Sequence, residues 1–83
     1  MMKMRKEPES YETRSLYEAA FLISSGFELQ SKHQNEANKS VFLFKNTEKL
    51  RSAISEFYAG TAVINAQQFI NNFRNVKDIA FSR

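Results

Sequence analysis

The run Ser40-Val41-Phe42-Leu43-Phe44-Lys45 restricts the fold of this chain more than any other segment. Successive side chains of a strand point to opposite faces, so Phe42 and Phe44 fall on one side and Val41 and Leu43 on the other. A strand apolar on both faces is either central in its sheet or covered twice. Upstream, Phe27-Glu28-Leu29-Gln30-Ser31-Lys32 alternates apolar and polar at its start, the pattern of a strand with one wet face. Asn35 to Lys39 reads as the turn between the two, and the pair forms a hairpin. Which face of the second strand takes the core stays open at this level.

Three helices surround this hairpin in sequence. Ser15-Leu16-Tyr17-Glu18 matches a capping box, in which the Ser15 hydroxyl takes the Glu18 amide and the Glu18 carboxylate returns to the Ser15 amide. Thr13 is a competing cap. From Leu16 to Ile23 apolar residues occupy most of the helix circumference, which predicts a helix enclosed by protein. Gly26 suits the left-handed position after that helix, with Phe27 folding back onto its last turn. Thr47 caps a second helix, with Leu50, Ala53, Ile54, Phe57 and Tyr58 on one side and Gly60 as its stop. Thr61-Ala62-Val63-Ile64 reads as a short third strand. Asn65 then caps a last helix, with Phe69, Ile70, Phe73, Val76 and Ala80 in one stripe and amides and charges opposite.

The expectation is an α+β fold of order α-β-β-α-(β)-α, with three helices packed on a small antiparallel sheet. Residues 1–10 are polar and without periodicity and read as a flexible N-terminal arm, leaving 11–83 as one domain. No repeat or linker divides the chain, and a small sheet leaves edges open to self-association.

Composition acts mainly by exclusion. The absence of Cys removes disulfides, thiol catalysis and the usual zinc and iron–sulfur sites, and a single His removes most of the remaining metal and triad chemistry. The apolar runs are too short to span a membrane, and the basic N-terminus leads into Glu7-Pro8-Glu9 rather than an apolar segment, so the expected location is cytoplasmic. In residues 1–12, Lys3, Arg5 and Lys6 cancel Glu7, Glu9 and Glu12, so the net +3 belongs to 13–83.

No constellation for catalysis emerges. His33 lacks a partner His or carboxylate cluster and reads as a surface residue. Ser24-Ser25-Gly26 reads as a helix end, not a nucleophile elbow. Glu7, Glu9 and Glu12 lack the ligand spacing and Gly of a calcium loop. Phe42 and Phe44 beside Lys45 resemble the exposed aromatics of sheet-based RNA readers only if solvent-facing, and as core they are ordinary. Lys32, Lys39 and Lys45, with Arg74 and Lys77 on an amide-rich helix, are the candidate nucleic-acid contacts. Val41 and Leu43 are the candidate partner surface if Phe42 and Phe44 take the core, unless Tyr11 and Tyr17 cover them.

Several segments together resemble a family. They are Tyr11 to Leu22, then Gly26-Phe27 and the hairpin, Val41 to Phe44, the helix ending Phe57-Tyr58-Ala59-Gly60, and Ala62 to Ile70. In this order they resemble a group of small prokaryotic and phage-associated proteins known only as a domain of unknown function, over about residues 11–80. The resemblance implies a stand-alone cytoplasmic domain, makes a phage or mobile-element origin plausible, and supplies no catalytic residues. The sequence thus points to a non-enzymatic protein without cofactor, metal or evident small-molecule substrate. Its expected role is a binding module for a protein partner or for its own copy, the alternative being a nucleic-acid-binding accessory protein.

Overall fold

A computed structural model gives the fold and describes residues 9–34 and 39–81. Its elements are β1 (Ser10–Thr13), α1 (Leu16–Ser24), β2 (Leu29–Gln34), β3 (Ser40–Lys45), α2 (Glu48–Ala59) and α3 (Ala66–Ala80). The fold is α+β, but the order is β-α-β-β-α-α, not the expected α-β-β-α-(β)-α.

β3 is the central strand of three, in the order β1-β3-β2, and is antiparallel to both neighbours. β1 and β2 are therefore parallel to each other, and α1 joins them across the sheet as a crossover with β3 inserted between. The alternation of β3 sets the faces. Phe42 and Phe44 are fully buried in the core with Ala19, Ala20, Phe21, Leu22, Leu50 and Val76. Tyr11 and Leu29 pair with Phe44, and Thr13 and Lys32 with Phe42, so these residues share the helix side. Glu12 and Ser31 pair with Leu43, and His33 with Val41, on the outer side. A bulge between Leu29 and Ser31 shifts the register of β2, putting Leu29 and Lys32 on one face.

Two expectations about strands are corrected. Ser10, placed in the arm, and Tyr11 to Thr13 form edge strand β1; the Glu9 carbonyl also accepts from the Asn46 amide. Residues 1–8 of the arm and 35–38 of the turn lie outside the described residues. The expected third strand, Thr61 to Ile64, is not a strand. This apolar segment lies outside the three-stranded sheet and links α2 to α3, with Ala62 and Ile64 packed on the core and Val63 outward. Tyr11 and Tyr17 do not cover the outer face either: both pack toward the helices.

The helix boundaries follow local chemistry. Ser15 Oγ accepts the Glu18 amide at 3.1 Å. The return arm of the capping box is not made: the Ser15 amide donates to Thr13 Oγ1 at 3.1 Å, which gives Thr13 a role beside the cap rather than as the cap. Gly26 is left-handed (φ 96°), and the Gly26 and Phe27 amides donate to the Ile23 and Leu22 carbonyls, closing α1 with a Schellman motif. Thr47 Oγ1 and Asn65 Oδ1 accept from the Leu50 and Gln68 amides at the starts of α2 and α3. Gly60 ends α2 at φ 80°.

Candidate functional site

Residues Glu18 to Leu22 are all buried, as expected for a helix enclosed by protein. The sheet lies beneath α1, and α2 and α3 both pack against it. Ala19 and Ala20 have side chains small enough for close packing. The other two helices are buried much less. α2 buries only Leu50, and α3 only Val76 and Ala80. The stripe expected for α3 therefore enters the core at its C-terminal half, while Phe69 and Phe73 stay half-buried and Ile70 is 45% exposed.

These half-covered residues meet one another on the side of α1. Tyr17, 62% exposed, stacks on Phe73 with ring centroids 5.0 Å apart and planes 12° from parallel. Phe73 in turn faces Phe69 at 6.3 Å. One turn along α1, Phe21 stacks on Phe57 at 4.7 Å, and Phe57 meets Tyr58 edge-on at 5.0 Å. The result is an aromatic face built from all three helices, with Tyr17, Tyr58 and Ile70 at its surface. Aromatic residues of this kind dominate the binding energy of protein interfaces. Sequence reading assigned Ile70 and Tyr58 to core-facing stripes and missed this face. A legible signal was available: residues 57–73 contain no Asp, Glu, Lys or Arg.

Beside this face lies a polar cluster. Glu18, 3% exposed, is the buried charged side chain among the described residues. Its Oε1 accepts from the Tyr11 hydroxyl at 2.7 Å and its Oε2 from the Tyr58 hydroxyl at 2.5 Å. Burial, followed by the bond to Glu18, holds the Tyr11 phenol well above its ordinary range. For Tyr58 the bond to Glu18 comes first, then burial, with the same direction. The carboxylate thus ties β1, α1 and α2 together. Both its oxygens are engaged, which leaves it a structural tie rather than a base facing solvent. Among the described residues no buried side-chain polar atom lacks a hydrogen-bond partner.

The residues singled out from sequence are placed as follows. Val41 is 4% exposed and lies outside the helix-side core cluster, and Leu43 is half-buried, so Leu43 keeps the accessible surface of that pair. Lys32 Nζ donates to the Ile79 carbonyl at 3.1 Å, at the C-terminal end of α3. Ser40 Oγ donates to the Ala80 carbonyl at 3.0 Å, which brings the neighbouring Lys39 to the same end, and Lys77 lies in the last turn of α3. Cations there complement the negative end of the helix dipole. Arg74 stands a turn earlier and is exposed. Lys45 lies at the opposite end of β3, roughly 20 Å from Lys39 for an extended strand.

A cleft of about 530 Å³ opens between the start of β2 and the start of α2, lined by Phe27, Glu28, Lys45, Thr47 and Lys49 among others. It mixes both signs of charge. Among the described residues no three His, Cys, Asp or Glu side chains are grouped to hold a metal, and no helix is long and apolar enough to cross a membrane.

In comparison with known proteins, no curated protein and no solved structure matches the chain. A family model does, over residues 8–82: the domain of unknown function DUF5659. That span takes in every element of the fold, and the chain belongs to the DUF5659 family.

Proposed function

We propose that this domain is a non-enzymatic binding module that acts by protein–protein association through the aromatic face of α1, α2 and α3. The observation that carries the reading is the exposure of Tyr17 and Ile70 on a face where neighbouring aromatics are already stacked and ordered. Side chains held in place before contact lose little entropy on binding. A cytoplasmic setting and a prokaryotic or phage source belong to the same proposal, and the genes beside this one test the latter.

A photo-crosslinking side chain at Tyr17, compared with one at Leu43 on the outer sheet face, tests the surface in living cells. Protein adducts at Tyr17 are expected. Adducts at Leu43 alone would move the contact to the outer sheet face, where Leu43 is the accessible residue of the pair, and none at either position would end the reading.

The second reading is nucleic-acid binding, which the grouping of Lys32, Lys39 and Lys77 near the end of α3 supports. It predicts a mobility shift at low salt that fades as salt rises and weakens in Lys39→Ala/Lys77→Ala. No shift at about 10 μM protein would remove it.

A further inference from the structure

We infer that the occupant of the aromatic face is an acidic protein segment, one that sets carboxylates around an aromatic or large aliphatic anchor. The inference rests on the binding role proposed for that face and adds the chemistry of the partner. Its basis is the charge that borders the face. Ile70, Arg74, Lys77 and Phe81 follow at spacings of four, three and four, which places them on one stripe of α3 and its C-cap. All of them are exposed, Ile70 at 45% and Phe81 at 73%. Ile70 and Lys77 are the helix neighbours of Phe73, on which Tyr17 stacks, so the stripe continues the aromatic face.

Apolar and cationic side chains thus alternate along this edge. Two acids stand close, and neither lies on the stripe. Glu18 is 3% exposed, and its oxygens accept from Tyr11 and Tyr58. Asp78 falls beyond Arg74, on the side of α3 away from Phe73. The residues three and four places from Lys77 on this helix and its C-cap are Phe73, Arg74, Ala80 and Phe81, none of them acidic.

Charge complementarity then selects the partner. Carboxylates can meet Arg74 and Lys77 while an apolar anchor covers Ile70 and Tyr17, whereas a basic segment would set cation against cation. The net charge of +3 also draws acidic molecules from a distance. Other polyanions suit the stripe less. Basic patches that hold anionic lipid gather about four to eight Lys or Arg, and nucleic-acid surfaces neutralise several phosphates. This stripe carries Arg74 and Lys77 alone, with the aliphatic Ile70 between them around the helix.

The test places the photo-crosslinking side chain at Tyr17 of the full chain in living cells and adds Arg74→Glu/Lys77→Glu. Both positions are exposed, and circular dichroism confirms folding. Protein adducts are expected to fall at least tenfold. Lys45→Glu/Lys49→Glu makes the same change in net charge at exposed positions away from the stripe, and is expected to keep them. Random displayed peptides are selected in parallel against the wild-type chain. They are expected to be rich in Asp and Glu around Phe, Leu or Trp, and to bind Arg74→Glu/Lys77→Glu at least tenfold more weakly.

Adducts undiminished by Arg74→Glu/Lys77→Glu, or lost equally in the control, would overturn the inference, as would adducts of nucleic acid or lipid in place of protein. Selection of peptides without acidic enrichment, or of none, would overturn it too. Protein adducts that survive the charge reversal leave the binding role standing and remove only the acidic partner, whereas a wild type without adducts removes the binding role itself.

Discussion

Glu18 shows how much a single residue can announce, and how much it cannot. The spacing from Ser15 to Glu18 correctly marks the start of α1, because the hydroxyl-to-amide bond is local. The fate of the carboxylate is not local. It is decided by Tyr11 on a strand that precedes α1 and by Tyr58 at the far end of α2, which arrive only when the chain has folded. A hydrogen bond to a charged group contributes about 1.5–3 kcal/mol. Tyr58→Phe, which removes one of two donors to a buried carboxylate, is therefore expected to destabilise by about 2 kcal/mol, read as a lower urea midpoint. The same bonds make the fold sensitive to alkali. The phenols of Tyr11 and Tyr58 are raised in the folded state, so the unfolded chain loses these protons first as pH climbs. Their contribution is complete below about pH 10, the ordinary tyrosine value, and is lost above it. Urea midpoints are expected to be level up to about pH 9 and to fall above pH 10, with the fall reduced in Tyr58→Phe.

Strand β3, α2 and α3 were legible because their signals are contiguous. The apolar run 40–45, the caps Thr47 and Asn65 and the stop at Gly60 each act within a few residues. β1 was not legible. Ser10-Tyr11-Glu12-Thr13 has the right alternation, but a strand of four residues next to a charged tail exists only through its ladder to β3, which lies far along the chain. The reverse error at Thr61 to Ile64 has the same origin, since an apolar β-branched run becomes a strand only where the fold brings it alongside a sheet edge, and this segment spans from α2 to α3 instead. The choice of core face in β3 likewise required the helices. It leads to an asymmetric expectation: Phe42→Ala should cost about 3–5 kcal/mol, as for other buried Phe, while Leu43→Ala on the outer face should cost less than half of that. Chemical denaturation of the two variants checks it. Equal losses would mean that the outer face is packed as tightly as the core.

At the scale of the molecule, the helices do not cover one another. α1 is enclosed, but α2 and α3 lie to either side of it and give only part of their apolar stripes to the core. Periodicity identified those stripes without revealing how far along each helix the core extends. Three of the exposed large apolar residues, Tyr58, Val63 and Ile70, fall in the charge-free segment 57–73. Site-specific crosslinking along the aromatic face tests the proposed binding role most directly. Protein adducts are expected from crosslinking side chains at Tyr17 and Ile70, and not from one at Leu43 on the outer face of the sheet. Adducts only from the outer face of the sheet, or from none of these positions, would contradict it.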